Sequence, residues 1–308
     1  MSPRARAVVD DEDSDEETWE WDEDELEDDE TEWDEEREGV FGAAPFGPAR
    51  RRHVTGLCLG FLAMLPLITA YELGRSALGS GARRNAAELY LFMFLDPFGD
   101  AARPVRWVLL AAAAIGALWV CWKRRVAPVP EAGRIVGEGL LGALLLGPAL
   151  ALATRLVGRV FPDLASSAGQ AADLGQAVPP SGARAALALG AGAWEEIFFR
   201  VLLYGLVFLL ARRVLTWFGA PRRVTLVVGE GFALVLSSIT FAALHLQVFM
   251  PRGWTGGEVF DGRVFVWRCV AGLLLALLFR WRGPGVAAWT HGVFNLALLL
   301  RIDPDFLP

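Results

Sequence analysis

The stretch GAGAWEEIFFRVLLYG, residues 190–205, sets Glu195, Glu196 and Arg200 in a run that is otherwise apolar or small. If that run crosses a membrane, each charge near its centre disfavours insertion by roughly 2.5–3.5 kcal/mol, while each Leu, Ile, Phe or Val returns only about 0.3–0.6 kcal/mol. Three charges therefore nearly cancel the apolar gain, and they must face protein or a water-filled cavity. On a helix Glu196 and Arg200 share one face and can pair, whereas Glu195 points about 100° away and needs another partner. Taken alone, the Glu196–Arg200 pair fits a buried ion pair that only fixes helix packing equally well.

The rest of the chain supplies the membrane. It has 308 residues, 54% of them hydrophobic, and its formal charge of −7 averages two unlike parts. Residues 1–38 hold 21 of the 36 acidic residues against Arg4, Arg6 and Arg37. With little aliphatic content and strong self-repulsion, that part reads as a disordered acidic tail, residues 1–45, in which Trp19, Trp21 and Trp33 interleave with the acids. No cleavable secretory signal is visible, because the first apolar run follows acidic sequence.

Beyond the tail, apolar runs recur near 54–73, 105–122, 135–157, 185–210, 224–248, 263–281 and 284–300. A hydrocarbon layer of about 30 Å needs about 20 helical residues, so these predict an all-α, polytopic bundle of seven transmembrane helices. Residues 86–99 are too short to cross and carry Glu88 and Asp96, which suits an interfacial or re-entrant piece; if it crossed, the count would be eight.

Thirteen arginines and lysines fall in the loops that are cytoplasmic if the N-terminus is inside, which favours that orientation in the cell or inner membrane. Arg75, Arg83, Arg84, Arg103 and Arg106, near the first outer loop, work against it. Residues 160–184 read as a flexible external connection. Cys58, Cys121 and Cys269 are isolated in apolar runs and form neither a disulfide framework nor a zinc spacing. Nothing resembles a phosphate loop or a basic, aromatic-laced surface, so no nucleic acid is expected.

The chain has three histidines: His53 at a membrane edge, His245 and His291. His245 closes FAALH, with Phe241 four residues earlier, and His291 opens HGVFN, with Asn295 four residues later. A lone His or Asn in a membrane is more often an interhelical hydrogen-bonding residue. Glu, Arg, two His and Asn contributed by three spans are harder to explain as packing. Burial raises a carboxylate's proton affinity, which suits a general base near neutral pH. Imidazole and amide groups can share an activated water or stabilise an oxyanion. These parts suit amide hydrolysis within the membrane.

EEIFFR (195–200), FAALH (241–245) and HGVFN (291–295) together resemble the EExxxR, FxxxH and HxxxN motifs of the CPBP family, the CAAX-prenyl-protease-2-like and bacteriocin-processing intramembrane endopeptidases also called Abi. The resemblance implies a helical bundle with a central polar cavity, its core over 135–302 preceded by first membrane helices and an interfacial segment over 46–134. It implies Glu195 as the base that activates water and His245 as its partner. His291 and Asn295 would form an oxyanion site, with Glu196, Arg200 and Phe241 in support. The implied substrate is a membrane-embedded or lipidated peptide or protein, such as a CAAX-type chain or a bacteriocin precursor. Catalysis without a cofactor is expected, although Glu195, His245 and His291 would be the ligands if zinc were used. A non-catalytic immunity or scaffold protein of the same fold, or a proton-coupled transporter, is the alternative.

Overall fold

In the computed structural model, the described residues are 50–79, 85–160, 181–250 and 257–300; the acidic tail, and residues 161–180 of the expected external connection, lie outside them. Among the described residues the chain is helical throughout, with one isolated β-bridge between Leu246 and Glu258 and no strand. Residues Val54–Pro308 form one unit.

The first helix, α1, runs Arg50–Leu78. A short α2, Ala86–Phe92, passes through a 3-10 stretch, Met93–Ala101, into α3, Ala102–Lys123. After α4, Pro128–Val160, comes α5, Gly182–Glu196, which continues as a π-helical stretch, Ile197–Tyr204, into α6, Gly205–Trp217. The last three helices are α7, Arg222–Ala243, α8, Gly262–Arg282, and α9, Pro284–Leu299.

Among the described residues, five helical segments are long and apolar enough to cross a membrane: Thr55–Leu78, Ala86–Lys123, Pro128–Val157, Arg222–Ala243 and Gly262–Arg282. Their outward faces are apolar, as Leu141, Leu144 and Leu145 of α4 and Val227, Phe232 and Val235 of α7 illustrate. Such faces would be a liability in water and suit hydrocarbon. The protein is an integral, multi-pass membrane bundle.

Two of the seven expected spans differ in kind. The run over 182–217 is continuous but wound as a π-helix in its middle, and α9 has 16 residues. At 1.5 Å per residue α9 is about 24 Å long, shorter than the hydrocarbon layer. Residues 86–99 also differ from a free interfacial piece, because they join α3 in one helical segment bent where Gly99 takes a positive φ of 54°.

The glycines of GAGAWEE explain how α5 reaches its neighbours. A Cβ on Gly192 would lie 2.5 Å from the backbone nitrogen of Gly292 in α9, and one on Gly190 would overlap the Leu67 carbonyl and Tyr71 in α1. Only glycine allows backbones this close. The contact of α5 with α9 sets the turn bearing Glu195 and Glu196 beside His291. Around it, Met64, Leu67, Trp194, Phe199 and Phe241 form the main apolar core.

Candidate active site

Glu196 and Arg200 have no exposed surface. Their charged groups lie 3.3 Å apart, one helical turn along the chain, and Arg200 Nη2 donates to the Gly272 carbonyl of α8 at 3.0 Å. The guanidinium also sits 4.8 Å from the centre of the Phe241 ring. Arg200 thereby ties α5, α7 and α8 together, and its charge is compensated where lipid could not do so.

Glu195 is buried with different partners. Asn85 Nδ2 donates to Glu195 Oε1 at 2.5 Å, and Glu195 Oε2 lies 3.2 Å from His291 Nε2. The other nitrogen of the same imidazole, Nδ1, is 2.9 Å from Glu196 Oε1. His291 is therefore a bridge between the two carboxylates.

His245 does not lie within α7, which ends at Ala243. It occupies the turn that follows, fixed from behind by a bond from Glu258 N–H to the His245 carbonyl at 2.9 Å. The spacing to Phe241 still has its helical meaning, since His245 Nδ1 is 2.7 Å from the Phe241 carbonyl. A carbonyl only accepts, so Nδ1 carries a proton, and in the neutral imidazole the lone pair is on Nε2. The Phe241 ring meets both imidazoles edge-on, with centroids 4.9 Å from His245 and 5.7 Å from His291.

Glu195 and His245 line one cavity of about 190 Å³, together with Asn85, Ala86, Met250, Gly257 and Glu258. His291 and Asn295 are not among its lining residues. Asn295 lies one turn beyond His291 on α9, half-buried. The structure thus gathers Glu195, Glu196, Arg200, Phe241, His245 and His291, and leaves Asn295 at the margin.

Asn85 is the site residue that motif reading passes over. The pattern Asn85-Ala-Ala-Glu88 does signal a helix start, and Asn85 Oδ1 accepts from the Ala87 N–H at 2.8 Å. That signal marks a cap and carries no hint of a partner 110 positions away.

Among the described residues, no three or more His, Cys, Asp or Glu side chains are gathered as ligands for one ion. His245 Nδ1 faces a backbone carbonyl, and the two nitrogens of His291 face the carboxylates of Glu196 and Glu195.

The described residues thus set a buried glutamate and an imidazole on one small cavity within a helical membrane bundle. The model of the Rce1-like family, Type II CAAX prenyl endopeptidase Rce1-like, matches residues 180–297, and over those residues the chain carries an Rce1-like domain. This agrees with the resemblance read from the three motifs. No curated protein and no solved structure matches the chain.

Proposed function

We propose that the protein is an intramembrane endopeptidase in which Glu195 and His245 activate a water for attack on a peptide carbonyl. The observation that carries this reading is the shared cavity: a buried carboxylate and an imidazole with a free Nε2 lone pair line the same space, which is large enough for water and a peptide group. Glu195 takes the proton as the water oxygen bonds to the carbonyl carbon, and His245 Nε2 accepts the water's second hydrogen bond. Collapse of the tetrahedral intermediate breaks the C–N bond, and the proton held by Glu195 passes to the leaving amine.

His291 holds the two carboxylates in register. Glu196 and Arg200 hold the helix turn that bears Glu195. The oxyanion role that the motif resemblance implies for His291 and Asn295 has less support than the base role, since His291 is engaged elsewhere and Asn295 lies off the cavity.

The substrate class follows from the matched family and from the membrane setting: a prenylated C-terminal peptide or another membrane-associated chain. The test is cleavage of prenylated and unprenylated membrane-anchored peptides by the purified protein, with Glu195→Ala as control and with a chelator present. The expected result is cleavage that survives the chelator and is lost in Glu195→Ala. Cleavage persisting in that variant would remove the base assignment, and transport without cleavage would favour a carrier.

A further inference from the structure

The matched domain begins at residue 180, yet Glu195 is held from outside it. Asn85 stands just ahead of α2 with all its polar groups engaged in a directed way. Its Oδ1 caps α2, its backbone N–H donates to the Tyr71 hydroxyl at 3.1 Å, and its Nδ2 donates to Glu195. Behind it lies a buried network. The Tyr71 hydroxyl donates to Glu88 Oε2 at 3.0 Å, Glu88 is fully buried and pairs with Arg75 and Arg106, and Arg106 also pairs with Glu72.

A helix cap needs only the acceptor Oδ1. The donation from Nδ2 to a buried carboxylate is a second, separate use of the same side chain. It fixes Glu195 Oε1, while His291 faces Oε2, so the plane of the carboxylate is set from two parts of the chain. Asn85 also lines the cavity beside Glu195.

We propose that Asn85 is a positioning residue for hydrolysis at Glu195, and that the Tyr71–Glu88–Arg106 network serves to hold it. The active site of this protein is then completed by residues that the matched domain does not contain. The inference rests on the endopeptidase reading and concerns orientation of the base, so it should appear in kcat and leave KM unchanged.

The test uses the full chain in detergent with a membrane-anchored peptide, measuring kcat, KM and thermal melting for the wild type, Glu195→Ala, Asn85→Asp, Asn85→Ser and Asn85→Ala. Asp and Ser keep a capping oxygen and remove the donor. Ser adds no charge and so covers the case in which Asp prevents folding. The expected result is a kcat roughly 10- to 100-fold below wild type in all three Asn85 variants, as loss of one hydrogen bond to a charged group implies, with KM unchanged. Melting should be preserved in Asn85→Ser and lowered in Asn85→Ala. Wild-type kcat in folded Asn85→Ser, or a kcat loss that only follows the loss of folded protein, would overturn the proposal. If the wild type fails to cleave, or Glu195→Ala cleaves as well as it does, the endopeptidase reading itself fails and this inference with it.

Discussion

Two clusters of charge are buried among the described residues of the bundle. In one, Glu195, Glu196 and Arg200 meet His291. In the other, Glu72 and Glu88 meet Arg75, Arg106 and Tyr71. Both hold carboxylates that hydrocarbon would reject, so burial alone does not separate chemistry from architecture. What differs is the partner and the space. Glu72 and Glu88 are matched by guanidinium groups, which stay protonated and fork onto carboxylates. Glu195 instead faces an amide, an imidazole and a cavity. A carboxylate neutralised by arginine is poorly suited to accept a proton, whereas one held by hydrogen-bonding groups beside a water-sized space is well suited.

The sharpest way to break the comparison is to make one isosteric change in each cluster. Glu195→Gln should abolish cleavage, by about 10²-fold or more, as expected for loss of a general base, while the protein still melts near the wild-type temperature. Glu88→Gln should do the reverse. Removing one member of a buried ion cluster leaves Arg75 and Arg106 poorly compensated and costs about 3–5 kcal/mol, so melting falls steeply. The molecules that remain folded should lose less kcat than Glu195→Gln does, since only the hold on Asn85 is loosened while the base itself is kept. Similar losses of stability in both variants would mean that the clusters do the same work.

Arg200 sharpens the contrast, because within the active-site cluster it behaves like the arginines of the other one. Arg200→Lys keeps the charge but loses the planar fork that reaches Glu196 and the Gly272 carbonyl, together with stacking on Phe241. The expected outcome is a loss of roughly 1–3 kcal/mol of stability from the lost charge-assisted hydrogen bond of the buried guanidinium. kcat should fall less than in Glu195→Gln, and the two measurements on one preparation check the ordering.

The sequence shows one of these clusters far better than the other, for a physical reason. Glu195, Glu196, Arg200, His245 and His291 stand out because ionisable groups inside apolar runs demand an explanation. Glu72 lies near the end of the first run, and Arg75 and Arg106 look like loop charges at a membrane face. Their pairing across as many as 34 positions depends on how α1, α2 and α3 pack, which local pattern does not encode. The same pairs account for two of the five basic residues that oppose an inside N-terminus: Arg75 and Arg106 are matched by Glu72 and Glu88, so they are not free loop charges. Asn85 was hidden because a polar residue after two arginines is ordinary. The helical bundle was legible from apolar run length, but the π-helical turn at Ile197–Tyr204 was not, since its sequence reads as plain helix.

The smallest effect is expected at Asn295, where the motif and the geometry part company. The HxxxN spacing puts Asn295 one turn beyond His291, and the motif resemblance gives it an oxyanion role. An oxyanion donor must lie about 2.7–3.1 Å from the developing charge, and in the proposed mechanism that charge forms where Glu195 and His245 deliver water. Asn295 does not line that cavity. Asn295→Ala should therefore change kcat by less than about threefold, against the 10²–10³-fold loss that removal of a true oxyanion donor causes. A loss of the larger size, with melting unchanged, would show that α9 turns during the reaction to bring Asn295 to the carbonyl. The resting arrangement would then hold His291 on the two carboxylates only until substrate enters.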